Sequence, residues 1–190
     1  MKFFFFVLTV FLLSSCGVQH HFFTQQQYQS DSSYVYSLPY PKGTNHFIIQ
    51  GYNSLFSHKG RLAIDFKMKK GSPVAAARGG VVIRAEQSFT KGGTSKKYLG
   101  KANQVIIKHS DGSFASYAHL QHNGVLVKVG DSVKQGHIIA RAGSTGYSAT
   151  PHLHFIVWGS TAKGRTQLPT RFKTGKGIEY LKPGKWYKAS

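Results

Sequence analysis

Four histidines and one aspartate carry most of the reactive chemistry in this chain: His58, Asp65, His119, His152 and His154. The last two stand two apart in Pro151-His152-Leu153-His154-Phe155-Ile156-Val157, an otherwise apolar, β-prone run. Side chains alternate faces along a strand, so both imidazoles point the same way, with Cα atoms about 6–7 Å apart. Leu153, Phe155 and Val157 then point the other way, into a core. Two imidazoles on one face suit a metal ion with an adjoining acid or base. Asp65 lies in a second alternating run, where Leu62, Ile64 and Phe66 interleave with Ala63 and Asp65. A carboxylate in so apolar a run is costly to bury unless a metal or a cation accompanies it. His119 ends Tyr117-Ala118-His119-Leu120, late in a hairpin strand, and His58 sits in Ser57-His58-Lys59-Gly60. His109 and His122 flank the hairpin and read as solvated polar residues.

The composition narrows the chemistry. Cys16 is the single cysteine, so no cysteine-based zinc site and no internal disulfide can form. Only six residues are acidic. That makes a two-carboxylate glycosidase site improbable, and an all-oxygen cage for calcium or magnesium equally so. Two imidazoles, one carboxylate and a position left for water make the usual catalytic zinc site, here one Zn²⁺ per chain. Zinc activates water near neutral pH, and the remaining histidines can orient that water and stabilise developing charge.

These residues need a rigid β framework. The 190-residue chain is long enough for one domain with a real core. Its 21 glycines, among β-branched and aromatic runs, point to short strands joined by tight turns. Candidate strands are His46 to Gln50, Leu62 to Phe66, two around Gly79-Gly80, and Val105 to His109. The last is followed by an Asp111-Gly112 turn and a returning strand from Phe114 to Leu120. Gly71-Ser72-Pro73-Val74 echoes Gly130-Asp131-Ser132-Val133, which suggests a duplicated β unit. Gly143-Ser144-Thr145-Gly146-Tyr147-Ser148 has neither the spacing nor the following helix of a phosphate loop and is expected to frame a cleft. No stretch keeps a helical period. The basic segment Lys163 to Ser190 is expected to pack Phe172, Tyr180, Leu181 and Trp186 back on the sheet.

The first residues set the compartment. Met1-Lys2 and an apolar run from Phe3 to Leu13 form a signal segment too short to span a bilayer. Leu13-Ser14-Ser15-Cys16 resembles a bacterial lipobox, in which the cysteine is acylated and holds the protein to a membrane face. The expected organisation is a signal peptide over 1–15, a tether over 16–44 and the β domain over 45–190. Gly17 and Val18 lack an aspartate retention signal, which favours the outer membrane, facing the periplasm, if the host has two membranes. The formal net charge of +19 predicts association with polyanions. Export selects an anionic cell wall over nucleic acid as the partner, and the chain is expected to be a monomer.

Taken together, Ser57-His58-Lys59-Gly60 with Ala63-Ile64-Asp65-Phe66, Tyr117-Ala118-His119-Leu120, and Gly143-Ser144-Thr145-Gly146 before Pro151-His152-Leu153-His154-Phe155 resemble the lysostaphin/LytM-type zinc endopeptidases. The resemblance covers roughly Asn45 to Trp158. It implies that His58, Asp65 and His154 bind Zn²⁺ and that His119 and His152 form the acid/base and transition-state-stabilising pair. Asn103 and Tyr117 fall in matching blocks, with supporting roles at most. The implied fold is all-β, an antiparallel barrel-sandwich hybrid with the duplicated hybrid motif and a zinc-containing groove. The implied activity is hydrolysis of crosslinks or stem peptides of peptidoglycan by metal-activated water. Relatives lacking several of these residues are non-catalytic regulators of other wall hydrolases, which is the alternative role. One departure is visible: many members have the first histidine and the aspartate four apart, whereas His58 and Asp65 are seven apart.

Overall fold

The computed structural model describes residues 34–161 and 164–190; the signal segment, Cys16 and the first part of the expected tether lie outside them. Strands β1 (Val35–Ser37) and β2 (Asn45–Gln50) come first, then β3 (Ala63–Lys67), β4 (Pro73–Ala75), β5 (Gly80–Glu86) and β6 (Gly92–Gly93). Next are β7 (Gln104–Lys108), β8 (Phe114–Ala118), β9 (Leu120–Val125), β10 (Ser132–Val133), β11 (Ile138–Ala142), β12 (Gly146–Tyr147) and the long β13 (His152–Thr161). The chain closes with β14 (Gly164–Leu168), β15 (Arg171–Thr174), β16 (Gly177–Glu179) and β17 (Trp186–Lys188). Among the described residues the only helical segment is a 3₁₀ turn at Lys96–Tyr98. The all-β expectation holds.

Strands β10-β5-β7-β8-β13-β3-β2-β17 form the central sheet in that order, with β14 also paired to β13. A smaller sheet, β4-β11-β9, lies against it. The inward residues of both make one core, including Ile64, Phe66, Val74, Ile107, Tyr117, Leu120, Leu153 and Phe155. Tyr117 is fully buried, and its hydroxyl accepts a 2.8 Å hydrogen bond from the Ala77 N–H, tying the central sheet to the connection beyond β4. Its role is in the core.

The echo between residues 71–74 and 130–133 is a structural equivalence. The Gly71 N–H bonds to the Ala142 carbonyl while the Ala142 N–H returns to Ser72; the Gly130 N–H bonds to Val82 while the Val82 N–H returns to Asp131. Both glycines have positive φ, 86° and 95°, which a residue with a Cβ adopts at a cost.

Three expectations need correction. The tether does not extend to residue 44. Tyr36, Leu38 and Tyr40 are each at most 3% exposed, β1 pairs in parallel with β15, and the Tyr40 hydroxyl donates to the Tyr187 carbonyl at 2.7 Å. Tyr34, Tyr36, Leu38 and Tyr40 alternate with smaller residues, a period-two signal that the expected tether over 16–44 leaves out. His109, expected in solvent, is 3% exposed because this arm covers it, its ring set edge-on to Tyr36. At the other end, Phe172, Tyr180 and Leu181 pack inward as expected, but Trp186 is 63% exposed.

Candidate metal centre

Three adjacent strands set most of the site. On β13, Leu153 and Phe155 enter the core and His152 and His154 face outward. In register, His154 lies opposite Asp65 of β3 on one side and Ala118 of β8 on the other. Directly opposite residues of an antiparallel pair share a face, so Asp65 arrives beside His154 by register alone. The Asp65 carboxylate accepts a 2.8 Å hydrogen bond from His154 Nδ1.

His58 reaches the same point from the loop after β2. The seven-residue spacing does not keep it away: His58 Nε2 is 3.2 Å from Asp65 Oδ2, and the ligand atoms of His58, Asp65 and His154 all lie within 4.8 Å of one another. A β-bulge in β2, between Ile48 and Gln50, helps to build this corner. It aims Gln50 at the site, where its amide donates to Asp65 Oδ2 at 2.8 Å and to Ser57 Oγ at 3.0 Å and accepts from the Ser57 N–H at 3.1 Å. Gln50 was missed by sequence reasoning, since nothing in its type or spacing marks it.

His119 follows Ala118 at the turn into β9 with φ of 62°, an uncommon conformation for a side chain of its size. Its surroundings enforce it. Asn103, fully buried, bonds through its side chain to both the N–H and the carbonyl of Phe89. The Asn103 N–H donates to Thr145 Oγ1, whose hydroxyl donates to the Leu120 carbonyl at 2.7 Å. Asn103 thus supports the turn, and Thr145 joins it. The loop frames the cleft as expected: Gly146 has φ of 79°, and a Cβ there would stand 2.7 Å from that of Ala102. The result places His119 against His152 and His154, with ring centroids 4.6 and 5.7 Å away. All five predicted residues therefore meet in one site.

The hydrogen bonds fix which nitrogen faces inward. A carbonyl can only accept, so His58 Nδ1 donates to Gly51, His119 Nδ1 to Thr145 and His152 Nδ1 to Thr150. Each neutral ring then turns the lone pair of Nε2 toward the site. Burial pushes the His119 pKa down to about 3, and the neighbouring His152 and His154 add to the shift. His152 is also lowered by burial, with Asp65 opposing. Burial pushes the Asp65 carboxyl up, but the hydrogen bond from His154 and the surrounding imidazoles outweigh it and hold the group well below the usual carboxylate range. His58 Nε2 stands 3.2 Å from Asp65 Oδ2, with Nδ1 of the same ring already engaged with the Gly51 carbonyl.

That contact tests the site for a metal. His58 Nε2 is wholly buried and has no hydrogen-bond partner among the described residues. A buried acceptor aimed at an ionised carboxylate is unfavourable unless a cation lies between them. The donor set of two imidazoles and one carboxylate fits zinc.

Comparison with known proteins agrees with this geometry. The chain matches the model of peptidase family M23 over residues 57–167, a span that includes all five site residues. It is 40% identical over 118 residues to lysostaphin of Staphylococcus staphylolyticus, covering 62% of this chain and 20% of that protein. With the peptidoglycan DD-endopeptidase ShyC of Vibrio cholerae it shares 37% identity over 127 residues, 65% of this chain and 26% of that one. The chain thus spans about a fifth to a quarter of these curated relatives. A zinc-containing peptidase from Vibrio cholerae superposes with a TM-score of 0.52 at 28% identity, covering 72% of this chain and 40% of that one.

Proposed function

The chain belongs to peptidase family M23, and from that footing we propose that it is a zinc-dependent endopeptidase hydrolysing peptide crosslinks or stem peptides of bacterial peptidoglycan. One observation carries the proposal: His58, Asp65 and His154 converge within ligand distance of one another, with two further imidazoles at their side. Similarity to a peptidoglycan endopeptidase and to a zinc-containing peptidase supports it.

His58, Asp65 and His154 would hold the metal. When bound there, zinc supplies a Lewis acid that polarises the scissile carbonyl and makes water a nucleophile near neutral pH. The chain's own groups do the rest. Asp65 stays ionised, and Gln50 fixes the direction of its second oxygen. His119 and His152 are kept neutral by burial, so each offers a lone pair at Nε2. One takes a proton from the attacking water. As the carbon–nitrogen bond breaks, a proton returns from the pair to the departing amine. The carbonyls of Thr145 and Thr150 hold the two rings in the tautomer this requires.

A lipid on Cys16 would tether the domain to the envelope, and the net charge of +19 would concentrate it on the anionic wall. The test is mass spectrometry of products released from purified sacculi by a soluble chain beginning after Cys16. New peptide ends that vanish with a chelator and return with zinc identify a metallopeptidase and the bond it cuts. Bound zinc with no products from several wall chemistries would instead favour the non-catalytic regulator.

A further inference from the structure

Strand register carries the catalytic row beyond the metal site. His152 of β13 lies opposite Lys67 of β3, Lys67 opposite Phe47 of β2, and Phe47 opposite Trp186 of β17. Directly opposite residues share a face, so the four form one row across the sheet. With strands about 4.8 Å apart, the backbone of Lys67 is about 5 Å from that of His152, Phe47 about 10 Å and Trp186 about 14 Å.

The far end of this row is open. Trp186 is 63% exposed, and its ring centroid lies 5.6 Å from that of Phe47 with the planes tilted by 58°, so the two rings make a shallow notch. Ile49, displaced by the bulge, is a third apolar side chain left partly in solvent at 37% exposure. Lys67 is exposed and has no carboxylate partner among the described residues. Phe47 and Trp186 both fall outside the family match over residues 57–167.

We propose that this row is an extended substrate subsite, in which the Phe47–Trp186 notch receives a sugar ring of the glycan strand and Lys67 an acidic group of the peptide leading from that sugar to the scissile bond. The inference rests on peptidoglycan being the substrate. A pyranose presents an apolar C–H face that can lie on an aromatic ring while its hydroxyls stay in water, which suits the exposed Trp186 ring backed by the half-buried Phe47. The 10–14 Å from His152 to the notch is spanned by about three to four residues of extended peptide. Continuity with the catalytic row argues against a membrane as the occupant, because a bilayer seated on Trp186 would cover the cleft.

Trp158 and Trp186 are the only tryptophans, so in the full chain carrying Trp158→Phe the fluorescence reports on Trp186 alone. Peptide-free chains of alternating N-acetylglucosamine and N-acetylmuramic acid should change that signal saturably, and Phe47→Ala should weaken their binding about tenfold. In zinc-loaded enzyme, Trp186→Ala should raise KM on glycan-linked peptide, and its preference for glycan-linked over sugar-free peptide should fall about tenfold toward parity. Trp186→Tyr should restore most of that preference. A response to anionic vesicles without one to glycan, no response to glycan at all, or an equal loss on both peptides would overturn the proposal. Glycan binding without any hydrolysis would instead sink the peptidase reading and leave the subsite standing. Hydrolysis without glycan binding would do the reverse.

Discussion

Replacing Gln50 by alanine should weaken zinc binding without unfolding the domain. Gln50 gives the 3%-exposed Asp65 one of its two close donors at 2.8 Å, and its amide also ties down Ser57, next to His58. A hydrogen bond to a charged group contributes about 1.5–3 kcal/mol. If that organisation is lost at the site, the apparent zinc dissociation constant rises about 10- to 150-fold. Loss of a group that orients a metal ligand costs about 10- to 100-fold by general experience, so the two routes agree. Leucine at position 50 keeps the bulk and removes the donor, and should behave like alanine. The assay is competition with a chromophoric chelator at pH 7, alongside a thermal melt of the metal-free chain. An affinity within about twofold of the parent in a folded variant would refute the reasoning, because even the low end of that range exceeds it.

Other consequences separate the roles of the remaining residues. His154→Ala should lose zinc, whereas His119→Ala should keep zinc and lose about 10²- to 10⁴-fold in turnover; metal content and peptide release measured on the same samples check both. Phe172→Ala, outside the family match, should cost about 3–5 kcal/mol in chemical denaturation because its ring is fully buried against Phe66 and Phe155. A change under about 1 kcal/mol would show that the C-terminal strands are dispensable. For Asp111, burial raises the carboxyl pKa, but bonds from Ser113 and Arg78 outweigh it and hold the group at about 2. Its folded pKa is below the unfolded value of about 3.9, so its stabilisation is present above about pH 4 and fades as pH falls toward 2. The parent should therefore exceed Asp111→Asn in stability at pH 6, by less than about 1 kcal/mol because the side chain is 45% exposed, with the two converging near pH 2.

What could be read from the chain depended on how each residue is carried. His152, His154 and Asp65 sit on strands whose alternation is visible in the sequence, so their faces followed directly. Their mutual register did not follow, since it is fixed by long-range pairing that no local pattern encodes. The inward Phe172 and Leu181 were legible from their apolar character, but Trp186 was not, because burial depends on what lies opposite and its neighbour across the strand is Phe47 on the outer face. Gln50 was invisible because its position comes from a bulge, and a bulge changes which way a residue points without changing its type. The strand at Val35–Ser37 was hidden for another reason: the surrounding polar composition outweighed a short alternation that only a partner at β15 makes meaningful.

The spacing between His58 and Asp65 shows the difference between strand-borne and loop-borne ligands. On a strand, three extra residues would flip a side chain to the opposite face and displace it by about 10 Å. In a loop they change only the entropy of closure, and going from four to seven residues costs about 0.5 kcal/mol. That is small beside the anchors holding the loop. His58 Nδ1 bonds to the Gly51 carbonyl, its N–H to Ser54, and its carbonyl accepts from Arg61 in a turn where Gly60 has φ of 70°. Gln50 then clamps Ser57 from outside. The additional residues are taken up between His58 and Ala63, after the imidazole has been placed. The position of this ligand is therefore determined by its carbonyl anchor at Gly51 and not by its distance in sequence from Asp65. In this chain the acceptor for the Nδ1 proton of His58 marks the place of the ligand, and the count of residues to Asp65 does not.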